Sequence, residues 1–268
     1  MNFSRLVFKL LSSRGVCSLS KATRSLTLLL ILFAASLVFL SPAYASMISP
    51  EAITSTTSTA FAGYVISPTT ANTITEVQGN WTVPTISCAA TPTGINSIYY
   101  IVSIQGNGGG IDIGCSDGRA FYAPFCEFVS LEGCTGISDG DTVSPGDKMG
   151  TTVTVTYSTH SVNLLLEDVT KPWGYIHTSR DTGTLLNAYW VIEGGPVDCG
   201  CGLPNFGTFK TSKNLATIAG KHGAIGSFAS SATVFRYTLV DTAAITLARP
   251  SSLFNSGRAF TVTWVAAT

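Results

Sequence analysis

The sequence predicts an all-β protein, an antiparallel β-sandwich of two large sheets forming a single domain. Three observations carry this. From Phe61 onward, short runs rich in β-branched and aromatic residues recur along the chain, the composition that fits a pleated, half-buried surface. Between them stand clusters of Gly, Pro, Asn, Asp and Ser, the spacing of a sandwich or barrel. Only one piece, "SKNLATIAG" (212–220), reads as helix, and it is short.

The N-terminus is read separately from the domain. Residues 1–45 contain Arg5, Lys9, Arg14, Lys21 and Arg24 and no acid, then an apolar run from Leu26 to Leu40, then Ala43-Tyr44-Ala45. A basic start, a short apolar run and a small-x-small triplet form the pattern of a secretory signal peptide. The run is short for a membrane span, which needs about 20 apolar residues. A cleaved signal peptide (1–45), a polar arm (46–60) and a β-sandwich domain (61–268) are therefore expected, with the protein secreted and free of the membrane after cleavage.

The strands are expected in chain order. "FAGYVI" (61–66), "ITEVQGNWTV" (74–83) and "SIYYIVSI" (97–104) come first; the second contains the sequon Asn80-Trp81-Thr82. Gln105 ends the third on the face of Tyr99, Ile101 and Ser103. "QGNGGG" (105–110) reads as a flexible loop, and since no helix follows it, it is no phosphate cradle. In "GGIDIG", Asp112 is flanked by Ile111 and Ile113. "AFYAPFCEF" (120–128) puts Phe125 and Glu127 on one face. "TTVTVTY" (151–157) and "VNLLLEDV" (162–169) follow. "NAYWVIE" (187–193) puts Asn187, Tyr189, Val191 and Glu193 on one face and Ala188, Trp190 and Ile192 on the other. "TVFRYTLV" (233–240) and "AFTVTW" (259–264) close the domain.

Charge excludes some partners. Removing the five leader cations leaves ten basic residues against fifteen acidic ones, a formal net charge of −5. No basic patch is available to neutralise phosphates, so nucleic acid and anionic membrane are not expected partners. With few carboxylates to protonate, such a chain tolerates acid better than a charge-rich one. Cys17 leaves with the leader; the six remaining cysteines, an even number in an exported chain, suggest disulfides. Cys126 and Cys134 flank a short polar loop and could close it. Zinc is not expected: Cys199 and Cys201 make one close pair with no second pair at ligand spacing. "SDGDTVSPGD" (138–147) lacks the terminal Glu of a calcium loop and reads as a turn. No metal or other cofactor is expected.

The chemistry rests on three acids placed inside apolar strand-like runs, Asp112, Glu127 and Glu193, with Gln105 beside them. Two carboxylates sharing a partly dry site cannot easily both ionise, so one keeps its proton. An acid and a base then stand side by side, as acid hydrolysis requires. Nothing local favours a serine triad. His160, His177 and His222 sit in polar or turn-like contexts, and no serine occupies a G-x-S-x-G elbow.

These motifs resemble the eqolisin family of glutamic peptidases, the scytalidoglutamic peptidase type. "FAGYVISPTTANTITEVQGNWTVPT" (61–85) resembles the family's opening strands, with their V-x-G-x-W-x-V-P run. "YIVSIQG" is similar to its W-V-G-I-D-G strand, "IDIGC" to its catalytic Q-[IT]-G strand, "APFCEF" to A-W-Y-E-W with one extra residue, and "NAYWVIEGGP" to the N-A-E-[WF]-I-[IV]-E strand. "LPNFGTF" and "AFTVTW" match as well. The resemblance implies a secreted, two-sheet β-sandwich that cleaves proteins at acid pH with a Glu–Gln dyad. Glu193 falls on the catalytic Glu, the general base. The family Gln position carries Asp112, and the position of the family's Asp carries Gln105, so the two residue types have exchanged places. A protonated Asp112 or Gln105 is then expected to stabilise the oxyanion. Phe61, Ile101 and Pro124 or Phe125 stand where the family has cleft tryptophans. Glu127, Phe125, Phe61 and Tyr189 are the expected substrate contacts. The expected partners are polypeptide substrates, with the chain itself a monomer. The competing reading is an inactive homologue that binds carbohydrate or protein on an aromatic platform of Tyr99, Tyr100, Phe121, Tyr122, Trp173 and Trp190.

Overall fold

The residues described in the computed structural model, 53–90, 96–129, 142–194 and 202–267, form fifteen strands. They are β1 (Ile53–Ser58), β2 (Phe61–Pro68), β3 (Ile74–Thr82), β4 (Asn96–Ile104), β5 (Asn107–Ser116), β6 (Arg119–Glu127), β7 (Lys148–Thr156), β8 (Ser161–Asp168), β9 (Trp173–Arg180), β10 (Ala188–Glu193), β11 (Thr208–Ile218), β12 (Lys221–Ala224), β13 (Ala232–Val240), β14 (Thr246–Pro250) and β15 (Thr261–Trp264). The expected leader, and Cys134, Cys199 and Cys201, lie outside the described residues.

Seven strands lie side by side in the order β1-β13-β2-β10-β4-β5-β6, and seven more in the order β14-β15-β11-β3-β7-β8-β9, with β12 a hairpin on β11. All pairs are antiparallel except β1 with β13. The two layers are the large sheets the sequence predicts, with one addition. Leu239 and Val240 at the end of β13 pair with Ala248 and Thr246 of β14, so hydrogen bonding runs through both layers as one curled sheet.

The core lies between the layers. Tyr100 of β4 stacks on Phe209 of β11 with centroids 4.4 Å apart and meets Trp81 of β3 at 5.1 Å. Trp190 of β10 is fully buried, and its Nε1–H donates across the gap to the Gln78 carbonyl at 2.8 Å. Truncating rings of this size to alanine costs about 3–5 kcal/mol each. Along β4 and β10 these side chains alternate with Tyr99, Tyr189 and Glu193, which are only half-buried on the opposite face. Cys88, in a short 3₁₀ turn after β3, is bonded to Cys115 of β5. Cys126 is disulfide-bonded too.

Three local expectations are corrected. The helix-like stretch 212–220 lies mostly in β11. A bulge between Ser212 and Leu215, with Lys213 at φ 50°, resets the alternation, and Thr211, Asn214, Ala216 and Ile218 all point inward. The glycine run 108–110 is no loop but part of the first half of β5, paired on both sides. Residues 53–58 of the expected arm form β1, where Ser55 Oγ accepts from Arg236 at 2.8 Å.

Candidate active site

The site is a row that crosses four strands. In β4, Tyr99 sits opposite Asp112 of β5 on one side and opposite Glu193 of β10 on the other; Glu193 in turn faces Phe61 of β2. With strands about 4.8 Å apart, two spacings put the Asp112 and Glu193 backbones roughly 10 Å from each other. Side-chain parity directs both acids away from the core. Ile111, Ile113, Ile98, Tyr100 and Ile192 are completely buried, while Asp112, Tyr99 and Glu193 are only partly covered.

Glycines lower the floor beside this row, where Ile101 and Val191 stand buried between Gly110 and Gly63. Gly108 and Gly110 share the face of Asp112, and Gly63 of β2 lies opposite Val191. At Gly110 an added Cβ would fall 1.6 Å from the Tyr100 carbonyl oxygen, so no larger residue fits without moving the backbone. Aromatic rings flank the floor. Phe125 packs on Tyr99 at 4.6 Å; Phe61 packs on Tyr237 at 4.8 Å and on Tyr189 at 6.2 Å.

Proton affinity is raised at two of the acids. Burial pushes the Asp112 carboxyl up to about 6, against a smaller opposing effect of the hydrogen bond from Ser97. Its Oδ1 is buried and has no hydrogen-bond partner among the described residues. Burial also pushes Glu127 up to about 7, and the Glu193 carboxylate adds to the rise. Both effects disfavour the charged form. The Tyr189 hydroxyl is raised as well, first by burial; Asn187 lowers it, and the charges of Glu193 and Tyr237 raise it.

Gln105 stands apart. It is six positions along β4 from Tyr99, roughly 20 Å of strand, at the β4–β5 turn with φ 49°. Its N–H donates to the Asn187 carbonyl at 3.0 Å, and its Oε1 accepts from Leu186 N–H at 3.3 Å and Asn187 Nδ2 at 3.2 Å. Of the two oxyanion donors left open by the sequence, Asp112 is in the row with Glu193 and Gln105 is not. The structure also removes two rings from the expected binding platform, since Tyr100 and Trp190 are in the core. Sequence reasoning passed over Ser97, Tyr237 and the network around Asn187. Tyr237 could have been found from the alternation of Phe235 and Tyr237 in "TVFRYTLV". The end of the expected turn 138–147 is tied down by Asp147, which accepts from Ser144 N–H and pairs with Lys171 at 2.7 Å.

A β-sandwich with acids of raised proton affinity on an aromatic-edged face has the parts of a carboxylate-dependent hydrolase. Residues 59–254 match the model of the Peptidase A4 family, which spans β2 to β14 and all three acids, and the chain belongs to that family of peptidases. No curated protein matches the chain.

Proposed function

We propose that the chain is an exported acid endopeptidase that works through a carboxylate-activated water. The observation that carries this reading is the row in which Tyr99 alone separates Asp112 from Glu193 on the open face. A peptide lying on the glycine floor presents its carbonyl between them. Glu193, ionised, takes a proton from a water as the water oxygen attacks the carbonyl carbon. The carbonyl oxygen gains the negative charge, and neutral Asp112 donates its hydrogen bond to it. The proton held on Glu193 then passes to the leaving nitrogen as the C–N bond breaks. Asp112 is a donor only while protonated, so the reaction runs below about pH 6. Glu127, neutral in the same range, adds no second negative charge beside Glu193.

Export is part of the proposal. It is supported by the leader pattern in residues 1–45 and by the Cys88–Cys115 disulfide, a bond that persists in oxidising compartments.

The test is digestion of a denatured protein between about pH 2 and 7, the range in which carboxylates titrate, by the wild type beside Glu193→Gln. Cleavage confined to the acid side and absent in the variant is expected. Equal cleavage by the variant would remove Glu193 from the mechanism.

A further inference from the structure

The hydrogen bonds around Asn187 run in one direction only, and that direction leaves the Tyr189 proton unused. A main-chain N–H can only donate. Leu186 N–H meets the Gln105 side chain at 3.3 Å, which fixes the Gln105 oxygen on that side. The same oxygen faces Asn187 at 3.2 Å, so Asn187 must present its NH₂ there. Its Oδ1 is then the atom that accepts from the Ser67 hydroxyl. The second Nδ2 hydrogen donates to the Tyr189 hydroxyl oxygen at 3.1 Å. Tyr189 is therefore an acceptor toward Asn187, and its own proton must point elsewhere.

Elsewhere is the cleft. Tyr189 lies on the face of Glu193, half-buried, with its ring braced by Phe61. Its cross-strand neighbour on β4 is Ser103, and beyond that on β5 comes Gly108, opposite Glu127. Ser103 and Gly108, both buried, place no large side chain of their own between Tyr189 and Glu127. Among the described residues no hydrogen bond donated by the Tyr189 hydroxyl is seen, although the Glu193 carboxylate and the Tyr237 hydroxyl are near enough to raise its proton affinity. A half-buried donor on the face of the acids, with its proton uncommitted, suits the carbonyl oxygens of an extended peptide.

We infer that Tyr189 is a substrate-binding donor: its hydroxyl gives a hydrogen bond to a main-chain carbonyl of the bound polypeptide, and Gln105 and Asn187 are positioning residues that aim it. This rests on the peptidase reading of the same face. It also gives Gln105 a role without placing it at the reacting atoms.

The experiment compares wild type, Tyr189→Phe, Asn187→Asp and Glu193→Gln on one fluorescently labelled, unstructured peptide, reading kcat, KM and, in the Glu193→Gln background, binding by anisotropy. Tyr189→Phe keeps the ring contact with Phe61 and removes only the donor. It should raise KM and weaken binding about 3- to 10-fold, the value of one neutral hydrogen bond, with kcat little changed. Asn187→Asp turns the partner into an acceptor that captures the Tyr189 proton. It should weaken binding to the same degree, and should add nothing when combined with Tyr189→Phe, an outcome that a packing role for Asn187 would not give. Unchanged KM and affinity in a folded Tyr189→Phe protein would overturn the inference. A wild type that binds the peptide without cleaving it would instead count against the peptidase reading, while the affinity comparison would still decide the role of Tyr189.

Discussion

In the proposed mechanism Asp112 is the residue on which the chemistry turns, because its proton is both the donor and the thing that titrates. Ser97 tunes it. A hydroxyl that hydrogen-bonds the carboxyl favours the ionised form and holds the proton affinity below what burial alone would set. Ser97→Ala removes that restraint, so the alkaline limb of the pH–rate profile should move to higher pH. A single hydrogen bond is worth about 0.5–1.5 kcal/mol, which corresponds to at most about one pH unit. Profiles of kcat/KM for the two proteins check this, and a limb that moves to lower pH would reverse the assigned direction. At this scale the placement of the acids was readable. Asp112, Glu127 and Glu193 stood out as acids in apolar runs, and all three are on the open face. Ser97 did not stand out, since a serine at the start of a strand carries no sign of which neighbour it will meet.

At the scale of the element, β5 shows why some of the fold was not legible. Glycine is disfavoured in strands, so the run before Ile111 read as a loop. In the folded chain it is the part of the sheet where side chains cannot be accommodated: Gly110 abuts the Tyr100 carbonyl, and a Cβ added at Gly109 would lie 3.1 Å from the Leu164 side chain of the other layer. Gly110→Ala should therefore destabilise the fold by more than about 2 kcal/mol, the overpacking penalty expected when the backbone must shift. Thermal or urea melting checks it, and an unchanged midpoint would mean that β5 has slack not apparent in the structure. In β11 the bulge at Lys213 put inward-facing residues three apart, at Thr211 and Asn214, and that interval imitates a helix. The row itself was out of reach. That β4 stands between β5 and β10 is a long-range pairing that local alternation does not encode.

For the whole molecule the same two acids set the pH dependence of stability. Both folded-state values lie above the ordinary ones, about 6 against 3.8 for Asp112 and about 7 against 4.5 for Glu127. Within those windows the folded chain binds more protons than the unfolded one, so stability falls as pH rises through them. Below about pH 4 the effect is absent; above about pH 7 it is complete. Both groups are partly open to solvent, and after discounting for screening the loss is roughly 1–2 kcal/mol each. For a domain of this size, the two together correspond to on the order of 4–16 °C in Tm. A higher Tm at pH 4 than at pH 8 is expected, with the difference much reduced in the Asp112→Asn, Glu127→Gln double variant. A Tm that rises from pH 4 to pH 8 would contradict the assignment of these groups. The class of fold was legible at this scale because alternation and turn chemistry recur along the whole chain. The continuity of the two layers through β13 and β14 was not, since it depends on where one strand changes partners.

The most direct test of the proposed mechanism is the pH dependence of kcat/KM for Asp112→Asn beside the wild type. Asparagine donates at every pH, whereas the aspartic acid donates only while protonated. The wild type should lose activity as pH rises through about 6. The variant should stay within about tenfold of it at acid pH and keep its activity through that window. A variant that falls off at the same pH as the wild type, or that is dead throughout while folded, would contradict the role of neutral Asp112 as the donor to the oxyanion.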